Sequence, residues 1–154
     1  MYHGEFHNGL PNGKGAFYFH NNAVYEGQFK DGSAHGKGKL SLANGEVQSG
    51  YFKNGILHGH GKITYADGGS YIGSLKKGSF HGHGTLKTSE GVQYTGNFQN
   101  GKPFGKGVAI YIEGHKMEGE FKGDYQSAKG MLTAKNGQKY SGEIINGQFN
   151  GTPI

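Results

Sequence analysis

The fold is decided by residues 25–40, which read YEGQFKDGSAHGKGKL. Tyr25, Gly27 and Phe29 alternate with polar residues, and this is the two-residue period of a β-strand. Asp31-Gly32 then supplies a strong signal for a hairpin turn. A second alternating run follows, with glycines and a leucine on one face and lysines on the other. The stretch therefore predicts one two-stranded antiparallel hairpin.

This hairpin unit recurs with a period of 23 residues. The pattern Tyr-x-Gly-x-Phe starts at residues 2, 25 and 94, and at Tyr71 with leucine in the last place. Gln48, Met117 and Tyr140 begin further units in the same phase. Thirty of the 32 glycines fall on five phases of this period. We expect one array over 1–154, with six full repeats starting at 2, 25, 48, 71, 94 and 117 and a truncated seventh from 140. Because no capping element closes the array, we also expect a fragment of a longer chain.

An isolated hairpin is only marginally stable in water, so the hairpins are expected to pair side by side. The paired glycines, such as Gly36 and Gly38, leave bare backbone on the face where Tyr and Phe stand. Rings from an adjoining strand can cover that backbone, as in the aromatic rescue of glycine. The predicted fold is therefore all-β: a single-layer array of antiparallel β-hairpins that forms an elongated, twisted and grooved sheet.

The composition excludes several classes of protein. Glycine does not occupy every third position, which excludes collagen, and ten Tyr with ten Phe argue against disorder. The net charge is +5, yet all sixteen basic residues are Lys, so the bidentate donors favoured in nucleic-acid recognition are missing. There is no Cys, no signal peptide and no apolar stretch of about 20 residues. We expect a cytoplasmic protein that does not bind nucleic acid.

The repeat resembles the MORN repeat (membrane occupation and recognition nexus). The resemblance rests on Tyr-x-Gly-x-Phe, Asx-Gly and His-Gly-x-Gly at a 23-residue spacing, as in 25–38, and it covers the whole chain. The sixth unit departs most, since Met117, Asp124 and Ala128 replace pattern residues. The resemblance implies a hairpin array that binds partners without catalysing a reaction. Such arrays bind proteins, form homodimers or bind anionic phospholipid, and some associate with the cytoskeleton or a membrane.

The aromatic face is the predicted partner surface, because a single-layer sheet leaves rings uncovered. The prediction is a non-catalytic scaffold that engages a protein partner, either cytoskeletal or membrane-associated. The predicted groove residues are Tyr25, Phe29, Tyr65, Tyr71, Tyr94, Phe98 and Tyr111. A homodimer through the edge strands and a regulatory array of a larger enzyme are the further alternatives.

The opposite face carries a stripe of lysines, for which two explanations remain open. The favoured one is a solvated sheet face that resists aggregation. The alternative is a phosphoinositide-binding, membrane-tethering surface, to which each Lys would add about 1 kcal/mol. The predicted contacts for that surface are Lys37, Lys39, Lys62, Lys87 and Lys106.

No arrangement of residues predicts catalysis or a cofactor. Gly9–Gly15 resembles a phosphate-binding loop but lacks its spacing and the Ser or Thr that follows the Lys. Paired histidines at 58, 60, 81 and 83 could ligate Zn²⁺ as an alternative. The repeat pattern itself already explains histidine at the first of these phases. The favoured prediction is therefore that the chain contains no metal site, and His58, His60, His81 and His83 are kept only as the metal alternative.

Overall fold

The computed structural model describes residues 1–154 and contains fourteen β-strands and no α-helix. The strands follow chain order in one open antiparallel sheet. They are β1 Tyr2–His7, β2 Leu10–Tyr18, β3 Val24–Lys30, β4 Ser33–Ser41, β5 Val47–Lys53, β6 Ile56–Thr64, β7 Ser70–Lys76, β8 Ser79–Lys87, β9 Gln93–Gln99, β10 Lys102–Ile110, β11 Lys116–Lys122, β12 Ala128–Thr133, β13 Lys139–Ile145 and β14 Gln148–Pro153. The all-β hairpin architecture is confirmed, and the structure contains no helix that could cross a membrane.

The strands divide into two compact units. Met1–Gly78 holds β1–β7, and Ser79–Ile154 holds β8–β14. The same hairpin is found in both units, because the 23-residue pattern runs through both. The expectation that the chain is a fragment of a longer protein stays a prediction.

Hairpin turns form where the sequence places Asx-Gly. Asn8 and Gly9 have φ of 52° and 77°, and Asn54 and Gly55 have φ of 51° and 84°. Two successive residues with positive φ are typical of the type I′ turn, whose twist matches that of the flanking strands. The turn at Lys77 has a φ of 51° without an Asx residue. Glycine at the second position is therefore the feature that all these turns share.

Most hairpins contain a β-bulge at the first glycine of the Gly-x-Gly pair. In β3–β4 the register passes from Gly27↔Gly38 to Phe29↔Ala34, so the second strand carries extra residues. Gly36 lies within the bulge and has a φ of 97°, a conformation that residues with a Cβ rarely adopt. The sequence interpretation assigned both glycines the role of leaving room for rings. For the first glycine this interpretation is wrong, since its role is the bulge.

The second glycine of each pair lies under a tyrosine ring, as predicted. A Cβ added to Gly38 would lie 2.6 Å from Cε2 of Tyr25, well inside van der Waals contact. Gly107 has the same relation to Tyr94, also at 2.6 Å. The ring reaches along its own strand, and the Tyr25 hydroxyl donates a hydrogen bond to the carbonyl oxygen of Gln28 at 2.8 Å. The ring therefore covers the bare backbone while its polar end is satisfied.

Each of these tyrosines also contacts two phenylalanines edge to face. Tyr25 lies 5.0 Å from Phe29 of its own repeat and 5.0 Å from Phe52 of the next, measured between ring centroids. Tyr2 repeats the arrangement with Phe29 at 4.9 Å. Edge-to-face pairs at this spacing contribute about 0.5–1.5 kcal/mol beyond the burial of their area. The core of the first unit is thus a row of rings on one face of the sheet, which we call the aromatic face.

In the second unit the ring row is interrupted at the start of the sixth repeat, and a further pair, Tyr140 with Phe149, follows in the seventh. Tyr94 contacts Phe98 at 5.1 Å and Phe121 at 4.9 Å. Met117 then replaces the tyrosine and is fully buried. Ala128 replaces the bulge glycine, and β11–β12 pair without a register shift. The departures from the repeat therefore change the backbone as well as the core.

Leu57 compensates for the missing tyrosine of the third repeat. Gln48 stands where every other repeat except the sixth has a tyrosine, and its side-chain amide donates to the Glu46 carboxylate at 2.7 Å. A Cβ added to Gly61 would lie 2.9 Å from Leu57, which is 2% exposed. The leucine therefore fills the space that a tyrosine ring occupies over Gly38.

We predict that Gly38→Ala destabilises the protein by about 1–3 kcal/mol, because the new methyl group has to displace the Tyr25 ring. Gly61→Ala is the matched control, one repeat later. It should cost less, since the flexible leucine above it can move. Urea unfolding followed by circular dichroism measures both. Equal losses in the two variants would show that the ring is not the source of the cost.

Leu57→Ala should lower the free energy of unfolding by about 2–5 kcal/mol, the usual cost of a buried cavity. Gln48→Tyr alone should also destabilise, because two side chains would then compete for one space. The double variant should recover most of both losses, since a tyrosine then occupies its usual place. Additive effects in this double-mutant cycle would contradict the proposed compensation.

Candidate binding surface

Five of the seven predicted groove residues are core residues. Tyr25, Phe29, Tyr71, Tyr94 and Phe98 are between 0% and 6% exposed. The sequence interpretation expected a single-layer sheet to leave these rings open to a partner. This expectation needs correction, because rings of the same and the next repeat cover each other edge to face. Whether these five residues bind a partner stays a prediction.

The remaining two, Tyr65 and Tyr111, are partly buried and lie in the loops that follow β6 and β10. The Tyr111 hydroxyl donates a hydrogen bond to the carbonyl oxygen of Tyr125, which belongs to the next repeat. Burial, with a contribution from the charge of Asp124, raises the pKa of Tyr111 to about 12. Burial likewise raises the pKa of Tyr65, with contributions from Glu46 and Asp67. Both phenols are therefore neutral at ordinary pH.

Two apolar grooves open on the aromatic face, one in each unit. The groove of the first unit has a volume of about 240 Å³ and is lined by Phe19, Tyr25, Phe29 and Leu40, among others. The groove of the second unit has a volume of about 270 Å³. The residues that line it include Val92, Tyr111, Ile112, Tyr125, Gln126, Leu132, Ile144 and Phe149.

The two grooves lie at the same place in the repeat. Phe19 and Tyr111 are 92 residues apart, which is four periods, and so are Leu40 and Leu132. Of the seven predicted groove residues, Tyr25, Phe29 and Tyr111 line these grooves. The other four, Tyr65, Tyr71, Tyr94 and Phe98, line neither of the two.

The sequence analysis missed two exposed apolar residues at the groove rims. Phe19 is 44% exposed and Ile112 is 62% exposed. Both lie in loops after a second strand, outside the alternating pattern on which the prediction of binding residues was based. The signal that could have identified them is a large apolar side chain in a loop whose turn chemistry does not require it.

The five lysines of the predicted anionic contact are all exposed on the opposite face, which we call the polar face. Their cross-strand neighbours differ between the units. In the first unit Lys37 faces Tyr51 across β4–β5, and Lys39 and Lys62 both flank Ser49. The only carboxylate directly opposite these three lysines is Glu26, which faces Lys39.

In the second unit the charges alternate on the polar face. Lys106 faces Glu120, Glu120 faces Lys129, and Lys129 faces Glu143. Lys87 faces Gln93. Lys37 and Lys62, both in the first unit, thus have no carboxylate directly opposite.

The histidines do not form a recognisable metal site. His58, His60 and His83 are exposed and His81 is partly exposed. No group of three or more His, Cys, Asp or Glu side chains in the chain is arranged to hold a metal ion. His58 and His81 precede the first glycine of their Gly-x-Gly pairs, and His60 and His83 lie between the two glycines.

The MORN repeat model matches this chain at residues 2–24, 25–47, 49–70, 71–92, 94–116 and 118–139. The chain belongs to the MORN repeat family. The matched segments follow the 23-residue period that predicted the fold. MORN repeats indicate a repeat-based binding or scaffold module, in a family that is generally non-enzymatic.

Among solved structures, the MORN array is similar to the TCP domain of SAS-4 (dCPAP) of Drosophila melanogaster, solved in complex with a proline-rich motif of Ana2 (dSTIL). The identity is 13%, the match covers 91% of this chain and 71% of that chain, and the TM-score is 0.45. No match was found among curated proteins.

The buried phenols of the MORN core predict a stability limit at alkaline pH. Burial raises the pKa of Tyr71 and of Tyr94 to about 12, against 10.0 for the free side chain. The stability that these neutral phenols contribute should be fully present below pH 10 and lost as the pH rises through about 12. Urea midpoints and phenolate absorbance, measured against pH, should change together. Ionisation of all ten tyrosines near pH 10 with the fold intact would contradict this.

Proposed function

We propose that this MORN array is a non-catalytic binding module that engages a protein partner through the grooves of its aromatic face. The observation that carries the proposal is the recurrence of an apolar groove, four periods apart, in both units. Each groove has an exposed apolar residue at its rim, Phe19 in one and Ile112 in the other. Exposed apolar patches rimmed by polar residues are typical of protein interaction sites.

The size of the grooves favours a protein over a small molecule. Both are open and hold about 240–270 Å³. Pockets for drug-sized ligands hold about 300–1,000 Å³ and enclose most of the ligand. Grooves of this size suit single side chains of a partner that lies along the aromatic face.

The kind of partner follows from family resemblance alone. On that basis we propose a cytoskeletal or membrane-associated protein and a cytoplasmic location. Self-association through the edge strands stays a prediction. Light scattering over a concentration series tests it, and a monomer at every concentration would exclude it.

The proposed function can be tested by partner capture with matched surface variants. Phe19→Ser and Ile112→Ser remove the exposed rim residues and should lower recovery of the partner at least tenfold. Tyr51→Ser is the control, because Tyr51 is 61% exposed but lies on the polar face. It should leave recovery unchanged, and all three variants should unfold at the wild-type urea midpoint. Equal recovery with all three variants would exclude the aromatic face as the partner surface.

A second candidate function is attachment to an anionic membrane, which the unopposed lysines of the first unit favour. Tyr51 and Ile72, 61% and 47% exposed, face Lys37 and Lys62 across the strands, so apolar and basic groups share one surface. Each lysine near a charged membrane is worth about 1 kcal/mol.

Sedimentation with vesicles tests this second function. Vesicles of phosphatidylcholine containing phosphoinositide should bind the wild-type chain at low salt. Lys37→Glu/Lys62→Glu should abolish binding, while Lys106→Glu/Lys129→Glu should reduce it less, because those lysines already lie opposite Glu120. Equal sedimentation with and without phosphoinositide would exclude lipid recognition.

A further inference from the structure

The groove of the second unit differs from its counterpart because it is built from residues that depart from the repeat. Its wall includes Tyr111 and Ile112, from the loop after β10, and Tyr125, from the turn between β11 and β12. That turn has no Asx-Gly pair, and Tyr125 stands where the groove of the first unit has Ser33. The hydrogen bond from the Tyr111 hydroxyl to the Tyr125 carbonyl joins the two sides.

The interior of this groove is apolar. Leu132 and Ile144 lie on successive strands β12 and β13, and Val92 and Phe149 add further apolar surface. Ile144 and Val92 are 6% and 5% exposed, so neighbouring side chains hold them in place. An apolar side chain of a ligand would find carbon atoms on several sides.

The rim of the groove is acidic, although the chain as a whole carries a net charge of +5. Glu90 and Glu113 both line it and both are exposed. His115 lies 3.7 Å from Glu113, and the stem of Lys135 packs against Gly114. In the groove of the first unit no carboxylate lines the rim.

We infer that this groove binds a peptide segment whose bulky apolar side chain enters the cavity and whose adjacent Lys or Arg residues meet Glu90 and Glu113. The inference rests on the proposed protein-binding function and names the chemistry of the partner. The cavity of about 270 Å³ accommodates an anchor side chain, and the acidic rim selects its neighbours. An acidic segment would meet repulsion at the same rim.

A selection from random peptides displayed on phage tests this inference with the intact chain. Peptides that bind the wild-type protein should carry Leu, Ile, Met or Phe next to Lys or Arg. Replacing that apolar anchor by Ser in a synthetic copy should weaken binding at least tenfold.

Charge reversal at the rim provides the sharper test. Glu90→Lys/Glu113→Lys should weaken binding of a wild-type-selected peptide at least tenfold, and a new selection should enrich Asp or Glu beside the anchor. Glu26→Lys/Glu120→Lys is the matched control. It makes the same change in net charge on the polar face and should leave affinity and selection unchanged. Circular dichroism should show both variants folded, because all four side chains are exposed. The control should unfold at a somewhat lower urea concentration, since it places lysines opposite Lys39, Lys106 and Lys129, so any loss of peptide affinity confined to Glu90→Lys/Glu113→Lys does not come from lost stability.

Several outcomes would overturn the inference. One is selected peptides without a basic flank, and another is equal affinity for the wild-type and the Glu90→Lys/Glu113→Lys proteins. An absence of any selected peptide would overturn it as well. In each case partner capture with Phe19→Ser and Ile112→Ser decides separately whether the proposed protein-binding function fails too.

Discussion

The packing of a tyrosine ring on a glycine without a side chain is the contact on which the fold depends. Where Tyr25 covers Gly38, the ring occupies the volume that a Cβ would need. Its hydroxyl is satisfied by the backbone of its own strand, so burial of the ring leaves no polar atom unpaired. Phenylalanines from two repeats, Phe29 and Phe52, then pack edge to face against the ring. A hairpin that is marginal alone thereby gains a core that it shares with its neighbours.

This contact also explains why the two faces of the sheet differ in what they can do. The rings of the aromatic face are used for cohesion, because tyrosines such as Tyr25 and Tyr94 each cover a glycine and contact phenylalanines edge to face. A partner cannot reach Tyr94 without displacing Phe98 or Phe121. The surface available on that face therefore includes the edge strand, where Phe6 is exposed, and the loops, where Phe19 and Ile112 are exposed. The polar face has no such packing role, so its charges are free to vary between the units.

The sequence was sufficient for the hairpin, its turns and its period, because these depend on residues close together in the chain. Asn100-Gly101 predicts a turn wherever it occurs. The burial of Tyr94, the bulge at Gly36 and the replacement of a ring by Leu57 were not predicted. Each depends on contacts with an adjacent strand or repeat, and a periodic pattern does not show which neighbour fills a given space. The grooves were predicted only in part. Tyr25, Phe29 and Tyr111 of the predicted residues line them, whereas Phe19 and Ile112 lie in loops outside the alternating pattern.

The packing of rings on glycines explains where the sequence departs from the repeat. A strand position on the aromatic face is constrained by the glycine below it and by the rings on either side. A replacement there needs a side chain that fills the space of the tyrosine ring. Leu57 fills it in the repeat of Gln48, and in the sixth repeat Met117 is itself fully buried. Loop positions carry no such constraint, because the turn requires little more than a residue of positive φ. Tyr125, Glu90 and Ile112 could therefore diverge without loss of the core. Binding specificity in such an array is expected to reside in its loops, and the most modified repeat lies beside the groove with the acidic rim.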